Sequence, residues 1–471
     1  MKRTTSPPEL LVSLDRDSVV PLRVQLEGEL RRAIRSDRLT PETPLPSTRA
    51  LAADLGISRG VVVEAYDQLL AEGYLKAARG SATRVATRCT DCGDEAPQDV
   101  AALRPRYDFR PGVPDLALFP RADWMCSLRY AVMNTAESTF DYPDPQGAHS
   151  ARVGLSVYLN RVRGTSARAD RLLFCTGSSQ GVALIAQVLR ERGLRRIAVE
   201  DPGLNDQYEV LVALGLEVSR VPVDDDGLRV DRLARTRANA VLVTPAHQYP
   251  TGAVLSPERR AALLAWAEKR GGIVIEDDYD AEYRYDRQPV GALQGLAPDR
   301  VVYLGTASKT LSPALRLAWL IAPAALVPDL ARAKKFADFG SPVPEQLALE
   351  EFLERGDYDR HIRRTRNIYR RRRDALVAAL GRHLPGLRIR GMAAGLHLMV
   401  ELEKGTDEPA IAASAAQRSI RVFGARKYRG EPEAGPPALV LGYGGIDESK
   451  ISEGIRRLAA VLHENGGARR G

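Results

Sequence analysis

Residues 301–320 read VVYLGTASKTLSPALRLAWL. The first four are apolar, the pattern of a buried strand, and Gly305 closes the run. Thr306 and Ser308 follow, then a single lysine, Lys309, and further on Arg316 ahead of a second apolar run. An amine placed between a strand end and a hydroxyl cluster can condense with an aldehyde cofactor, while hydroxyls and a guanidinium hold a phosphate. A surface lysine beside a helix cap would carry the same residue types, so the reading needs a second stretch.

Residues 271–285, GGIVIEDDYDAEYRY, supply it. The run 273–275 reads as a buried strand and delivers Glu276, Asp277 and Asp278 at its carboxyl end, where open parallel sheets place their ligands. Pyridoxal phosphate needs a carboxylate against its pyridinium nitrogen. An acidic loop that binds a cation or caps a helix is the bland alternative. The two strands, one strand–helix–strand interval apart, favour the cofactor. Upstream, TGSSQG at 176–181 lies between a strand expected over 171–175 and a helical run over 182–189. Backbone N–H groups and hydroxyls of Ser178, Ser179 and Gln180 at such a helix start can cradle a phosphate, although a plain helix cap has the same composition.

At this point the chain resembles a known family. EDDYDAEY (276–283), GTASKTLSPALR (305–316), HQYPTG (247–252) and TGSSQG are similar to the motifs of fold-type I aminotransferases, in that family's order. The amino-terminal part has a different character. Leu22, Leu26, Leu30 and Ile34 recur every four residues, one apolar helix face opened by Pro21. In residues 44–75, Ser47 and Ser58 are expected helix caps, Gly56 a helix-ending turn, and Val61, Val62, Ala65 and Leu69 an inward face. Two short helices joined by a tight glycine turn read as a helix-turn-helix. Residues 74–76 and 83–85 would flank Arg79-Gly80-Ser81 as a hairpin wing. LPSTRALAADLGISRGVVVEAYDQL (45–69) resembles the GntR-type pattern almost residue for residue, and the whole chain resembles the MocR subfamily of GntR-type bacterial transcription regulators.

The resemblance implies a multidomain fold: a mainly α winged helix-turn-helix over 13–86, a linker over 87–106, and an α/β aminotransferase-like domain over 107–471. Its large part would span about 135–343, and its small α+β part 107–134 with 344–471. It further implies pyridoxal 5'-phosphate bound through Lys309, with Asp277 on the ring nitrogen, Tyr279 and one of His247 or Gln248 on the phenolic oxygen, and Ser178, Ser179, Gln180, Thr306, Ser308 and Arg316 around the phosphate. Tyr142, in FDYPDPQG (140–147), would reach the cofactor phosphate of a neighbouring subunit, so a homodimer is expected. Ser47, Thr48, Arg49, Ser58, Arg59, Arg79 and Gly80 would face double-stranded operator DNA, the helix N-termini meeting phosphates and guanine edges. The expected function is a transcription regulator that senses pyridoxal phosphate or an amine that adds to it. The alternative is a working aminotransferase that carries a DNA-binding domain.

Three departures from the family pattern matter. Val61-Val62-Val63 stand where relatives carry polar residues toward the duplex. Leu204 replaces an aromatic residue that stacks on the cofactor ring; leucine packs but lacks a ring quadrupole. The run 438–443, ALVLGY, has no arginine for a substrate carboxylate, which argues against an ordinary transaminase and leaves Arg426, in GARKY (424–428), as the effector-carboxylate candidate.

Bulk properties agree with this reading without establishing it. The chain has 471 residues, 44% of them apolar and 27% charged, with a net charge of +8. That length exceeds one ordinary core, and the positive balance is compatible with nucleic acid. The start MKRTTSPPEL has no apolar stretch, and no run approaches a membrane span, so a cytoplasmic location is expected. Cys89 and Cys92 form a C-x-x-C pair with no second pair to complete a zinc site, so no metal is expected. The arginine-rich run 359–380 reads as a solvated helix face, with a second DNA-contacting surface as the sharper alternative.

Overall fold

Three helices, Leu22–Arg35, Thr48–Leu55 and Arg59–Ala71, pack Leu26, Leu30, Ile34, Leu51, Val62, Ala65 and Leu69 into one small core. The Ser47 and Ser58 hydroxyls cap the second and third helices, accepting from the amides of Ala50 (3.2 Å) and Val61 (3.5 Å). Gly56 ends the second helix at φ +61°, a left-handed position that glycine adopts without Cβ strain. The strands Leu75–Lys76 and Arg84–Val85 pair antiparallel as the base of a wing.

This computed structural model describes residues 14–77, 82–86, 105–280, 282–285, 290–391 and 393–467. Arg79, Gly80, Cys89, Cys92 and most of the expected linker lie outside the described residues. The chain divides into two compact units, Met1–Ala101 and Ala102–Gly471. Among the described residues no helix is long and apolar enough to cross a membrane.

The second unit is built on an eight-stranded sheet. Its order is Leu172–Thr176, Leu317–Ile321, Val301–Thr306, Ile273–Asp278, Ala240–Val243, Arg196–Asp201, Glu217–Asp224 and Gly227–Leu228. The run from Val301–Thr306 to Glu217–Asp224 is parallel, and Leu317–Ile321 is antiparallel to both its neighbours. Strands covered on both faces read as continuous apolar runs. Here one face packs on Ser178–Glu191 and Val327–Asp338, the other on Pro257–Arg270. The carboxyl ends of the parallel strands and of Leu172–Thr176 open together, and TGSSQG, HQYPTG, EDDYD and GTASK lie at those ends.

A smaller sheet pairs His397–Glu401 with Ile389–Arg390 and Ala438–Gly442, and Ala438–Gly442 with Phe423–Gly424, all antiparallel. Tyr107–Asp108, the first strand of this unit, lies parallel to Ile420–Arg421 near its end. The helices Asp357–His383 and Glu448–Gly467 pack beside each other against this part. The arginine-rich helix is a solvated face only in part: Arg363, Arg364, Arg370 and Arg371 are exposed, while others are drawn into the fold. Arg366 donates twice to the Glu282 carbonyl (3.0 and 2.6 Å) and Arg370 to that of Tyr285 (3.0 Å). Arg372 pairs with Asp115 at 2.7 Å and Arg371 with Glu448 at 3.0 Å. These guanidiniums satisfy loop carbonyls and carboxylates that the helix packs against.

Candidate cofactor and DNA sites

The strand Ile273–Asp278 sorts its three acids by alternation, since successive side chains point to opposite faces. Glu276 and Asp278 share one face and are consumed structurally. Glu276 accepts from the amides of Leu293 (2.9 Å) and Gln294 (3.0 Å). Asp278 accepts from Arg163 Nε and from the Tyr303 hydroxyl, each at 2.7 Å on one oxygen, in a fully buried cluster that leaves its other oxygen without a partner but supplies its counter-charge. Asp277 points the other way. One oxygen takes the Gln207 side-chain amide at 2.5 Å; the other is buried with no partner. Burial pushes its carboxyl up to about 7, opposed by the Gln207 hydrogen bond, and the Lys309 charge also acts to lower it. A buried carboxylate oxygen left open is what a cationic ring nitrogen would complete.

Lys309 follows the strand Val301–Thr306 and is half-buried. Burial pulls its amine below the usual lysine range, against the attraction of Asp280 and Asp277. Such an amine is more readily available in its neutral, nucleophilic form. Its Nζ donates to the Gly112 carbonyl at 2.6 Å.

The phosphate end is shaped by two loops. Gly177, at φ +91°, precedes the helix Ser178–Glu191, so Ser178 and Ser179 present unpaired first-turn amides. A Cβ on Gly177 would lie 2.0 Å from the Arg316 guanidinium, which donates to the Thr176 carbonyl at 2.8 Å. Thr306 and Ser308 are joined by a 2.9 Å hydroxyl hydrogen bond. Gln180 differs from the expectation. Its side chain is turned into a strut, accepting from the Thr176 amide (2.8 Å) and Lys334 (3.0 Å) and donating to Asp338 (2.7 Å).

His247 and Gln248 differ in their side-chain contacts. Gln248 donates to Glu200, Pro202 and Tyr249 and accepts from Thr251, so it is fully engaged. His247 lies beside Tyr279, whose hydroxyl is 3.2 Å from Nδ1 and donates to the His247 carbonyl at 3.0 Å. Asp280 holds the same Nδ1 at 3.0 Å, and His397 packs on the ring at 5.0 Å. Burial keeps the His397 imidazole well below its ordinary pKa, hence neutral.

Arg426 is the clearest departure. Its guanidinium pairs with Glu433 on its own segment, and its amide caps Glu408. A cavity of about 20 Å³, lined by Glu200, Leu204, Gln207, Tyr208 and Thr244, has Arg220 in its wall. Arg220 lies 4.0 Å over the Tyr208 ring and donates to Asn205 at 3.0 Å. Tyr142 is 85% exposed and touches Phe339. Gln207, Asp280, His397 and Arg220 were not singled out from sequence. Gln207 and Arg220 sit in ordinary helix and strand patterns, and His397 reaches the site only through the second sheet.

In the first unit Ser47, Arg49, Ser58 and Arg59 are exposed at the starts of the two turn-linked helices, and Thr48 is half-buried. Neither Arg49 nor Arg59 has an ion pair or side-chain hydrogen bond among the described residues, so both guanidiniums are open to a ligand. Val61 and Val63 are half-buried and Val62 is buried, which gives the valine run a packing role.

Residues 22–85 match the bacterial regulatory proteins of the gntR family, and residues 119–435 match aminotransferase class I and II. The chain is 35% identical to the HTH-type pyridoxine biosynthesis transcriptional regulator PdxR of Corynebacterium glutamicum, over 94% of this chain and 96% of that protein. It is 31% identical to the probable rhizopine catabolism regulatory protein MocR of Rhizobium meliloti, over 96% of each. Among solved structures it is similar to LysN, the alpha-aminoadipate aminotransferase of Thermus thermophilus. The TM-score is 0.69 at 26% identity, covering 77% of this chain and 93% of that one. Class I and II aminotransferase folds typically bind pyridoxal phosphate, and GntR-type domains bind operator DNA. A helix-turn-helix unit followed by this sheet, with relatives aligned over nearly their whole length, leaves one conclusion: the chain belongs to the MocR-type regulators, GntR-family transcription regulators with an aminotransferase-like domain.

Proposed function

We propose that this regulator binds pyridoxal phosphate covalently at Lys309 and changes its DNA binding when the cofactor, or a primary amine that takes over its aldehyde, occupies the site. The observation that carries the reading is Asp277. It has a buried, partnerless oxygen and, unlike Asp278, no ion pair among the described residues, and it lies close enough to the Lys309 amine that the two groups influence each other's charge. Asp277 would pair the ring nitrogen with Gln207 behind it. Tyr279, set by His247, would donate toward the phenolic oxygen. The amides of Ser178 and Ser179, the Ser308 hydroxyl, hydrogen-bonded to Thr306, and Arg316 would hold the phosphate. When bound, the cofactor supplies an aldehyde carbon that amines can exchange.

A sensing role is supported by the strand Ala438–Gly442, wholly buried and without the arginine a transaminase would use for a substrate carboxylate. Operator DNA would be read by Arg49 and Arg59, with Ser47 and Ser58 fixing the helix starts. The exposed apolar residues Met125, Tyr130, Met133, Phe140, Tyr142 and Phe336 support a homodimer in which Tyr142 serves the neighbouring site. Domain limits of 13–86 and 107–471 agree with a linker between the two units.

Absorbance and borohydride trapping test the cofactor. The purified protein is expected to be yellow and to retain a reduced adduct, and Lys309→Ala to lose it. A trapped adduct that persists in Lys309→Ala would place the covalent bond elsewhere.

A further inference from the structure

Among the described residues the free amine of Lys309 has one hydrogen-bond partner, the Gly112 carbonyl, and that partner lies on an unusual piece of chain. Residues 109–115 form a strap held at both ends. Phe109 donates its amide to the Arg421 carbonyl (3.0 Å) and accepts from the Gly442 amide (2.9 Å). Asp115 receives the Arg372 guanidinium at 2.7 Å, and its amide meets the Tyr369 hydroxyl at 3.0 Å. The Arg110 and Val113 carbonyls press on Gly442 and Gly444, where an added Cβ would stand 2.1 and 2.4 Å away. Between these anchors Gly112 takes φ +68°, which glycine adopts freely, and its carbonyl meets Lys309. Upstream lie Tyr107–Asp108 and then the 87–106 linker that leads back to the DNA-binding unit.

We infer that the Lys309–Gly112 hydrogen bond is a latch through which the covalent state of the lysine sets the hold on the strap that anchors the linker. The inference rests on Lys309 as the cofactor-bearing residue. A lysine amine offers two N–H donors when neutral and three when protonated. Condensation with an aldehyde forms a C=N bond, releases the aldehyde oxygen as water and removes both hydrogens of the neutral amine. The Gly112 carbonyl then loses its donor, and a half-buried carbonyl without a partner is disfavoured. A primary amine that takes over the aldehyde carbon breaks the lysine C=N bond, forms its own, and passes its two hydrogens to Nζ. The latch closes again. Ligands thereby act differently on two states of one segment, as a switch requires, without touching the strap themselves.

Hydrogen exchange of strap peptides in the full-length protein tests the latch. Wild type without cofactor is expected to exchange slowly over 109–115. Pyridoxal phosphate should speed that exchange by about tenfold, since amide exchange follows the local opening equilibrium, and methylamine added afterwards should slow it again. Lys309→Met, with neither donor nor reactive amine, is expected to exchange fast with or without cofactor. Lys309→Arg, which keeps a donor but cannot condense, should stay slow throughout. Circular dichroism confirms that both variants fold. Slow exchange in Lys309→Met overturns the latch, as does wild type that forms a borohydride-fixable adduct with no change in the strap. Failure to form any adduct defeats the cofactor assignment instead, and the comparison of wild type with Lys309→Met in the absence of cofactor still decides the latch.

Discussion

Asp277 and Asp278 are adjacent and chemically identical, yet strand alternation gives them opposite fates. Asp278→Ala leaves Arg163 buried without its counter-charge, a loss of about 3–5 kcal/mol for such pairs, and should lower the thermal midpoint sharply. Asp277→Asn should fold normally but bind pyridoxal phosphate far more weakly, as measured by absorbance titration. If both variants bind equally well, the register assigned to the pocket is wrong. The pH dependence follows from the same burial. The Asp277 carboxyl is raised from 3.8 to about 7. Its contribution therefore favours folding below the ordinary carboxylate range and is lost as pH rises through about 7. Cofactor-free Asp277→Asn should gain stability over wild type at pH 8 and match it near pH 4, at about 2–4 °C per kcal/mol in a calorimetric scan. Glu200 and Glu276, each also raised to about 7 by burial, keep part of the slope in the variant.

Two helix starts carry the proposed binding functions, and each can be tested as an element. Gly177 precedes the helix proposed to face the phosphate, and Ala there would collide with Arg316 in a backbone region that suits glycine. Loss of one charge-assisted contact of roughly 1.5–3 kcal/mol corresponds to about 10- to 100-fold weaker cofactor binding. Unchanged affinity in Gly177→Ala would remove Arg316 from the phosphate site. In the first unit, Arg49 projects from the start of Thr48–Leu55 with no competing partner among the described residues. Arg49→Ala is expected to cost about 1–3 kcal/mol on operator DNA and to relax choice at one base pair. Arg59→Ala should show some of this with a salt slope smaller by about one unit. Affinities on operator and random duplex over a salt series separate the two, and operator binding by Arg49→Ala at wild-type strength would sink the docking.

At the scale of the whole molecule, the exposed apolar side chains of Arg121–Asn134 and of the end of Val327–Asp338 are where the proposed homodimer would form. Met133→Glu is expected to shift sedimentation toward a single chain and to weaken cofactor binding, because each pocket would lose the partner's tyrosine. A variant that stays dimeric with full affinity would show that the interface lies elsewhere. Motif order made the two-unit plan legible in advance: a four-residue leucine repeat with serine caps, then strand ends that carry TGSSQG, EDDYD and TASK.

The local chain determined the elements because caps, turns and apolar runs act over a few residues. It carried the expectation for Lys309 and the EDDYD acids because strand ends in an open parallel sheet meet ligands whatever lies between them. The family resemblance pointed to Asp277 among the three acids, and the tertiary structure supplied the physical reason for separating it from Asp278, since alternation has meaning once one face is known to pack on Arg163 and Tyr303. Only the tertiary structure placed Gln207, Asp280 and His397 at the site and engaged Gln180 and Arg426 elsewhere, because their partners are distant in sequence or on facing elements. The Gly112 carbonyl on Lys309 is of the same kind. A contact across 197 residues leaves no trace in either stretch read alone.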